Sequence, residues 1–282
     1  MGRSARRAWS RRFPVSDTVL LERRGGVALV TLNRPNRMNA LTDELMTTLP
    51  VRLKEVADDP EVRCVVLTGA GDRAFSAGAD LAPGGGDTPN QQTLDEPLET
   101  SIDRLKRYHE APWLLHTMPK PTLAAINGAA AGASLSLALA CDLRVAAEGA
   151  VLTTAFARIG FSGDYGGAFF MTQLVGTAKA RELYLLGERI DAEEALRIGL
   201  VHRVFPKQGF RKEAEALALQ IAEGPPLAYR YMKRNLNLAL TTQLRDILDL
   251  EAEAMMRTGR SEDLRTGVLA FLKKEKPRFQ GR

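Results

Sequence analysis

The sequence predicts an α/β fold completed by a helical C-terminal region. Three observations lead there. Residues 27–32 (VALVTL) and 62–68 (VRCVVLT) are short runs rich in β-branched residues, bounded by Gly or charged clusters, and read as strands. A helical stretch separates them, and strand, helix, strand at this spacing is a βαβ unit that favours a parallel sheet. From Gly176 onward the text turns to helical periodicity, with breaks at 187–191, 199–205, 224–226 and 259.

The helix between the first two strands opens at Thr42, whose hydroxyl can cap it. Asp43 and Glu44 sit in its first turn, where the helix dipole favours acids. It runs towards Ala57, with Pro50 inside it as an expected bend. Residues 83–90 (PGGGDTPN) read as a flexible polar loop, and 94–116 as helix. Short apolar runs at 122–126 and 143–146 are of strand type. The helix between them, 133–140, is almost wholly apolar and so belongs inside the protein. The predicted organisation is a basic disordered tail at 1–17, an α/β core at 18–205 and a helical region at 206–282.

Composition narrows the function classes. The chain has 282 residues, 45% of them apolar and 26% charged, as in ordinary globular proteins. No apolar run approaches the ~20 residues that span a bilayer, so no membrane partner is expected. The net charge of +5 comes from the tail: Arg3, Arg6, Arg7, Arg11 and Arg12 account for five of 39 basic residues, leaving 34 against 34 acidic ones. A neutral body gives no footprint for nucleic acid. The tail lacks the apolar stretch of a secretory signal despite its Arg pairs, and reads as an extension or an upstream start. Cys64 and Cys141 lie in apolar strand-like text and read as buried free thiols of a reducing, cytoplasmic compartment.

Gly69-Ala70-Gly71-Asp72-Arg73-Ala74 follows a strand in the pattern of a dinucleotide-binding loop. That reading requires a helix to start there, and AFSAGADL follows instead, interrupted by Gly78. Three His residues (His109, His116, His202) are too scattered to suggest a metal. The small residues Ala77-Gly78-Ala79 and Gly132-Ala133 let main chain approach a ligand closely. Ala133 opens the buried helix, whose first N–H groups have no intrahelical partner. Two such N–H groups aimed at one carbonyl oxygen make an oxyanion hole, each donor typically worth ~3 kcal/mol in the transition state. The same small residues also permit tight strand–helix packing.

A set of ordered motifs joins these. They are LNRPNRMNAL (32–41), GAGDRAFSAGADL (69–81), KPTLAAINGAAAGASLSLALACDLRVA (120–146), IGFSGDYGG (159–167) and LVGTAKARELYLLGERIDAEEALRIGLVHRV (174–204), before a basic end, FLKKEKPRFQGR. In this order they resemble the crotonase superfamily, also called the enoyl-CoA hydratase/isomerase family, over roughly residues 18–282.

The resemblance implies a spiral core of repeated ββα units with a helical oligomerisation region, and trimers that pair into hexamers. It implies an acyl-CoA substrate, with coenzyme A bound as part of that substrate and no tightly bound cofactor or metal. The oxyanion-hole donors fall on positions matching Ala79 and Ala133. The two glutamates with which family hydratases hold water match Ser136 and Phe156, neither of which is a base near neutral pH. Hydration with that pair is therefore not expected.

Asp164 matches the single Asp of the ring-epoxide and enoyl isomerases and of the 4-chlorobenzoyl-CoA dehalogenases. With Phe161, Tyr165, Phe169, Phe170 and Phe156 around it, its pKa should rise into a range suited to proton transfer. Isomerisation by Asp164 alone is the favoured expectation. The alternative reading of the residue is an N-cap for the helix beginning near Gly166. His109 matches the dehalogenases' catalytic His, so dehalogenation or thioester hydrolysis stays open. So do fatty-acid hydration and a silent acyl-CoA-binding role. The expected CoA contacts are Arg34, Arg37, the stretch Ala77, Gly78, Ala79, Asp80 and Leu81, and Lys274 in a basic end that also holds Lys273 and Lys276. The expected acyl pocket contains Ser136, Phe156, Phe161 and Tyr165, drawn from 87–113 and 156–171.

Overall fold

The computed structural model describes residues 16–81 and 96–282. The basic tail before Ser16, the loop at 83–90 and the part of the pocket wall at 87–95 lie outside the described residues.

Among the described residues ten strands form two sheets. The larger contains β1 (Val19–Arg24), β2 (Val27–Leu32), β3 (Cys64–Gly69), β5 (Thr122–Ile126), β7 (Leu143–Ala147) and β10 (Arg203–Phe205), in the order β1-β2-β3-β5-β7-β10. The smaller contains β4 (Ala74–Ser76), β6 (Ala129–Ala131), β8 (Val151–Thr153) and β9 (Ile190–Asp191), in that order. Apart from β1 on β2 and β9 on β8, all pairings are parallel. Each of β3, β5 and β7 passes through a tight turn into a short strand of the small sheet. This is the repeated ββ step that the resemblance implies.

The large sheet is buried on both faces, as parallel sheets are. Val65, Leu67, Ala124, Ile126 and Ala146 face the main core, whereas Cys64, Val66, Leu123, Ala125 and Val145 face a second one. The alternation follows the two-residue period of a strand. Helix α1 (Asp43–Asp58) closes the main core with Leu45, Met46, Leu49, Leu53 and Val56, and Thr42 Oγ1 accepts the Leu45 N–H at 3.4 Å as its cap. The helix runs through Pro50.

The expected helix at 94–116 is two helices, α2 (Leu98–Tyr108) and α3 (Glu110–Thr117), parted at His109. Pro112 has no N–H to give the Tyr108 carbonyl, so the ladder is interrupted there. Helix α4 (Ala133–Leu139) is buried at all seven positions. Its last carbonyls are gathered by Arg144, only 2% exposed, whose Nη1 donates to Cys141 O at 2.5 Å and Leu139 O at 3.4 Å.

Helix α5 (Gly167–Leu186) kinks at Gly176, and α6 (Ala192–Arg197) follows. Helix α7 (Phe210–Ala222) lies across the second core through Phe210, Ala214, Leu217, Ala218 and Ala222. It covers the other face of the sheet, so the core reaches past the expected boundary near residue 206. Helices α8 (Pro226–Ala239), α9 (Leu244–Thr258) and α10 (Glu262–Lys273) complete the chain. Buried Lys233 ties α8 to the core through Asp142 and the Leu115 carbonyl, both at 2.8 Å. No helix among the described residues is long and apolar enough to cross a membrane. Cys64 and Cys141 are both buried and free, as the sequence suggested.

Candidate active site

β4, β6 and β8 are adjacent and parallel, so the segments that leave them emerge at one edge of the small sheet. After β4 comes 77–81, after β6 the Gly132 turn into α4, and after β8 the segment 154–166 that carries Asp164. The repeat thus delivers both expected donors and the expected acid to one place. Chain after Gly71 enters β4 rather than a helix, which removes the dinucleotide-loop reading.

The first turn is laced to its neighbours through main chain. Ala77 N–H donates to Met38 O at 2.9 Å, Leu41 N–H to Gly78 O at 2.8 Å and Asp80 N–H to Leu41 O at 3.1 Å. Gly78 has φ +85°, and a Cβ there would lie 2.6 Å from the Ala131 carbonyl and 3.8 Å from Gly132 Cα. Only glycine permits both that angle and that approach. Ser134 Oγ completes the junction, 2.7 Å from Ser76 O and 2.8 Å from Ala131 O, while accepting the Ala131 N–H at 3.1 Å. The N–H groups of Ala79 and Ala133 make no hydrogen bond among the described residues. Two unspent donors therefore stand on abutting turns.

Two asparagines that sequence reasoning missed hold the turn ahead of β4. Asn39 Nδ2 donates to Ala70 O and Ala74 O, both at 2.9 Å, and its Oδ1 accepts the Arg34 N–H at 3.0 Å. Asn127 Nδ2 donates to Gly71 O at 2.9 Å and Ala74 O at 3.1 Å, and its Oδ1 accepts the Gly69 N–H at 3.1 Å. Both are buried, and buried amides hold a turn because each hydrogen bond left unmade would be costly. Asn127-Gly128, a turn dipeptide between two short strands, was the available signal for one of them.

Phe156, 7% exposed, fills the space between the second turn and the acid's segment. A Cβ on Gly132 would be 3.6 Å from its ring and one on Gly163 would be 3.4 Å. The ring also stacks on Tyr184 at 6.1 Å. Ser136 lies one turn along α4 from Ala133, and its hydroxyl and that of Tyr184 crowd the Cα of Gly167 so closely that no Cβ fits. Burial pushes the Tyr184 hydroxyl up to about 12; Ser136 opposes that and the Asp164 charge adds to it.

Asp164 does not cap α5. The N-cap is Gly166, with no side-chain cap, and only the Asp164 carbonyl is engaged, accepting the Gly167 N–H at 3.0 Å. Its carboxylate Oδ1 is buried without a hydrogen-bond partner among the described residues. Loss of solvent alone raises its pKa to about 6. His109 is close by: its Nε2 accepts the Tyr165 N–H at 3.4 Å and its ring meets that of Tyr165 edge-on at 5.1 Å. Burial lowers the His109 pKa, which favours the neutral imidazole.

Other expected residues are differently employed. Arg34 and Arg37 both pair with the buried Asp80, at 2.9 and 3.1 Å, and Arg34 also donates to Ala40 O at 2.7 Å. Asp80 thus anchors the donor turn, and of the two arginines Arg37 is the more open to solvent. Leu81 lies at the surface. Phe161 is 50% exposed, so Phe156 and Tyr165 provide the enclosure instead. Lys274 is exposed at the C-cap of α10. The residues after it turn away, with Lys276 on Glu223 at 2.5 Å and Phe279 O accepting from Arg63 at 2.8 Å, beside the start of β3. The described residues hold no cluster of three His, Cys, Asp or Glu suited to a metal.

A spiral of ββα steps that sets unspent main-chain donors beside a desolvated acid defines the crotonase class of fold. The chain belongs to the enoyl-CoA hydratase/isomerase family, whose model matches residues 22–282. It is 39% identical over 257 residues to the 1,2-epoxyphenylacetyl-CoA isomerase of Escherichia coli, covering 91% of this chain and 96% of that one. It is 32% identical over 260 residues to the short-chain-enoyl-CoA hydratase of Clostridium acetobutylicum, covering 92% and 96%. The crystal structure of an enoyl-CoA hydratase from Bacillus anthracis superposes with a TM-score of 0.86 at 30% identity, covering 94% and 100%. Processing of acyl-CoA thioesters is the activity of this family.

Proposed function

We propose that the chain is an isomerase of unsaturated or ring-strained acyl-CoA thioesters with Asp164 as its single acid–base. The Ala79 and Ala133 N–H groups receive the thioester oxygen and hold the negative charge that develops when a proton leaves carbon. Ionised Asp164 takes a proton from C2 or C4 of the acyl chain, the double bond moves through a dienolate, and the same carboxylic acid returns the proton at the other end. No water enters the balance. The observation that carries this reading is the buried Oδ1 of Asp164, unpartnered among the described residues and one aromatic ring away from the Gly132 turn. Ser136 and Phe156 offer no second carboxylate for the addition of water.

Arg37 is the proposed contact for CoA phosphate. A homo-oligomer fits the apolar side chains that α8 to α10 leave open, among them Leu236 at 70% and Phe271 at 80% exposure. Two buried free thiols fit a cytoplasmic setting.

Acyl-CoA esters incubated in heavy water test the mechanism. Deuterium should enter at C2 and C4 with wild type and at neither with Asp164→Asn, while CoA-ester binding stays within a few-fold. An Asn variant that exchanges as fast as wild type sinks the proposal, as does crotonyl-CoA hydration without exchange at C4. Tight binding without any turnover points to a silent binding protein. A second reading, in which Asp164 attacks an aryl group and His109 activates water on the resulting ester, draws on the closeness of His109 to the 164–165 peptide. It predicts halide or free-acid release from aryl-CoA esters.

A further inference from the structure

The peptide between Asp164 and Tyr165 is held at both ends. Its carbonyl accepts the Gly167 N–H at 3.0 Å, at the start of α5, and its N–H donates to His109 Nε2 at 3.4 Å. Fixing that plane fixes the direction in which the Asp164 side chain leaves the main chain. The segment does not hold itself in this form by preference. Tyr165 has φ +54°, a region an aromatic residue rarely occupies, and Gly160, Gly163 and Gly166 around it are also at positive φ. Main chain so disposed persists only when its surroundings over-determine it.

His109 is suited to do so. It sits at the junction of α2 and α3, its own N–H donating to Leu105 O at 3.1 Å and its carbonyl accepting the Trp113 N–H at 3.2 Å. The imidazole therefore projects from two helices at once, and its edge-on contact with the buried Tyr165 ring adds a second point of fixation.

We infer that His109 is a positioning residue: as a hydrogen-bond acceptor it clamps the Tyr165 amide and so aims the Asp164 carboxylate, without itself exchanging a proton with substrate. This rests on the role proposed above for Asp164, and it differs from that of a water-activating base, which requires imidazole to gain and lose a proton.

Two variants that both fill the site separate the roles. The Gln side chain in His109→Gln can place an oxygen acceptor where Nε2 lies, whereas His109→Leu offers none. The isomerase readout should show kcat lowered on the order of tenfold to a hundredfold in His109→Leu with KM within a few-fold, as for a misplaced catalytic group, and kcat near wild type in His109→Gln. Carbon NMR titration of Asp164, assigned by difference from Asp164→Asn, gives a readout that needs no turnover. Its midpoint should stay near 6 in wild type and His109→Gln and fall towards the ordinary carboxylate value in His109→Leu. If His109→Gln loses as much kcat as His109→Leu, imidazole chemistry is required and the inference fails. It fails equally if His109→Leu leaves both kcat and the titration unchanged. A wild type that does not isomerise overturns the proposed function, and the titration then still decides the clamp.

Discussion

Ser134 Oγ lies 2.7 Å from the carbonyl oxygen of Ser76, and this contact joins two turns 58 residues apart. One turn follows β4 and the other opens α4, so Ser134 sets how the Ala79 and Ala133 donors stand to each other. Ser134→Ala leaves the Ala131 N–H without its acceptor and should cost ~1–3 kcal/mol of stability. Activity should fall further, with kcat lower by about tenfold to a hundredfold and KM little changed, because a small misplacement of the donors acts on the transition state. Chemical denaturation and steady-state kinetics on one preparation check both; an unaltered kcat refutes the coupling.

Asp164 is expected to weaken the fold at neutral pH. Its folded pKa of about 6 lies above its ordinary 3.8, so the native state holds the proton more firmly than the unfolded chain does. The penalty is absent below about pH 4, grows as pH rises to about 6 and stays constant above that. Asp164→Asn should accordingly be more stable than wild type at pH 7–8, by on the order of 3 kcal/mol, with the gap closing towards pH 4. Urea unfolding across pH measures it. A gap that does not depend on pH sinks the assignment.

The rate should follow the same group with the opposite preference. Proton abstraction requires ionised Asp164, so kcat/KM for isomerisation should climb with pH to a plateau, with its midpoint near 6. A profile flat from pH 5 to 8 excludes Asp164 as the base.

The two thiols should be inert in the native protein. Cys64 and Cys141 are 0% and 3% exposed, and burial pushes both up to about 12. At pH 8 neither is a thiolate, and thiolate is the reactive form. A chromogenic disulfide reagent should count no thiol in buffer and two in denaturant; rapid reaction in buffer contradicts the packing.

Much of this arrangement could be read before any coordinates, for identifiable reasons. β2 and β5 fall where their β-branched and apolar runs end, because strands buried on both faces tolerate little else. Helix α4 was legible because, two small serines apart, its seven residues are apolar. Asp164 stood out as the one acid within a Gly- and aromatic-rich stretch. What stayed hidden depended on distant partners. Asn39 and Asn127 look like ordinary loop residues until β3 and β5 bring them to one turn. Arg34 read as a phosphate contact because nothing local shows that Asp80, 46 positions later, is buried against it. Asp164 as a cap was sensible from spacing alone, but the positive φ of Gly166 gives that position to the glycine. The split at His109 follows from Pro112, whose effect falls four residues upstream.

The parallel alignment of β4, β6 and β8 has a consequence for how such enzymes change trade. In the proposed mechanism the donors belong to the polypeptide itself, so any residue small enough to keep the turns closed can occupy those positions. The proposed acid rides on the third strand's outgoing segment, where a single replacement would change the reagent without redrawing the frame.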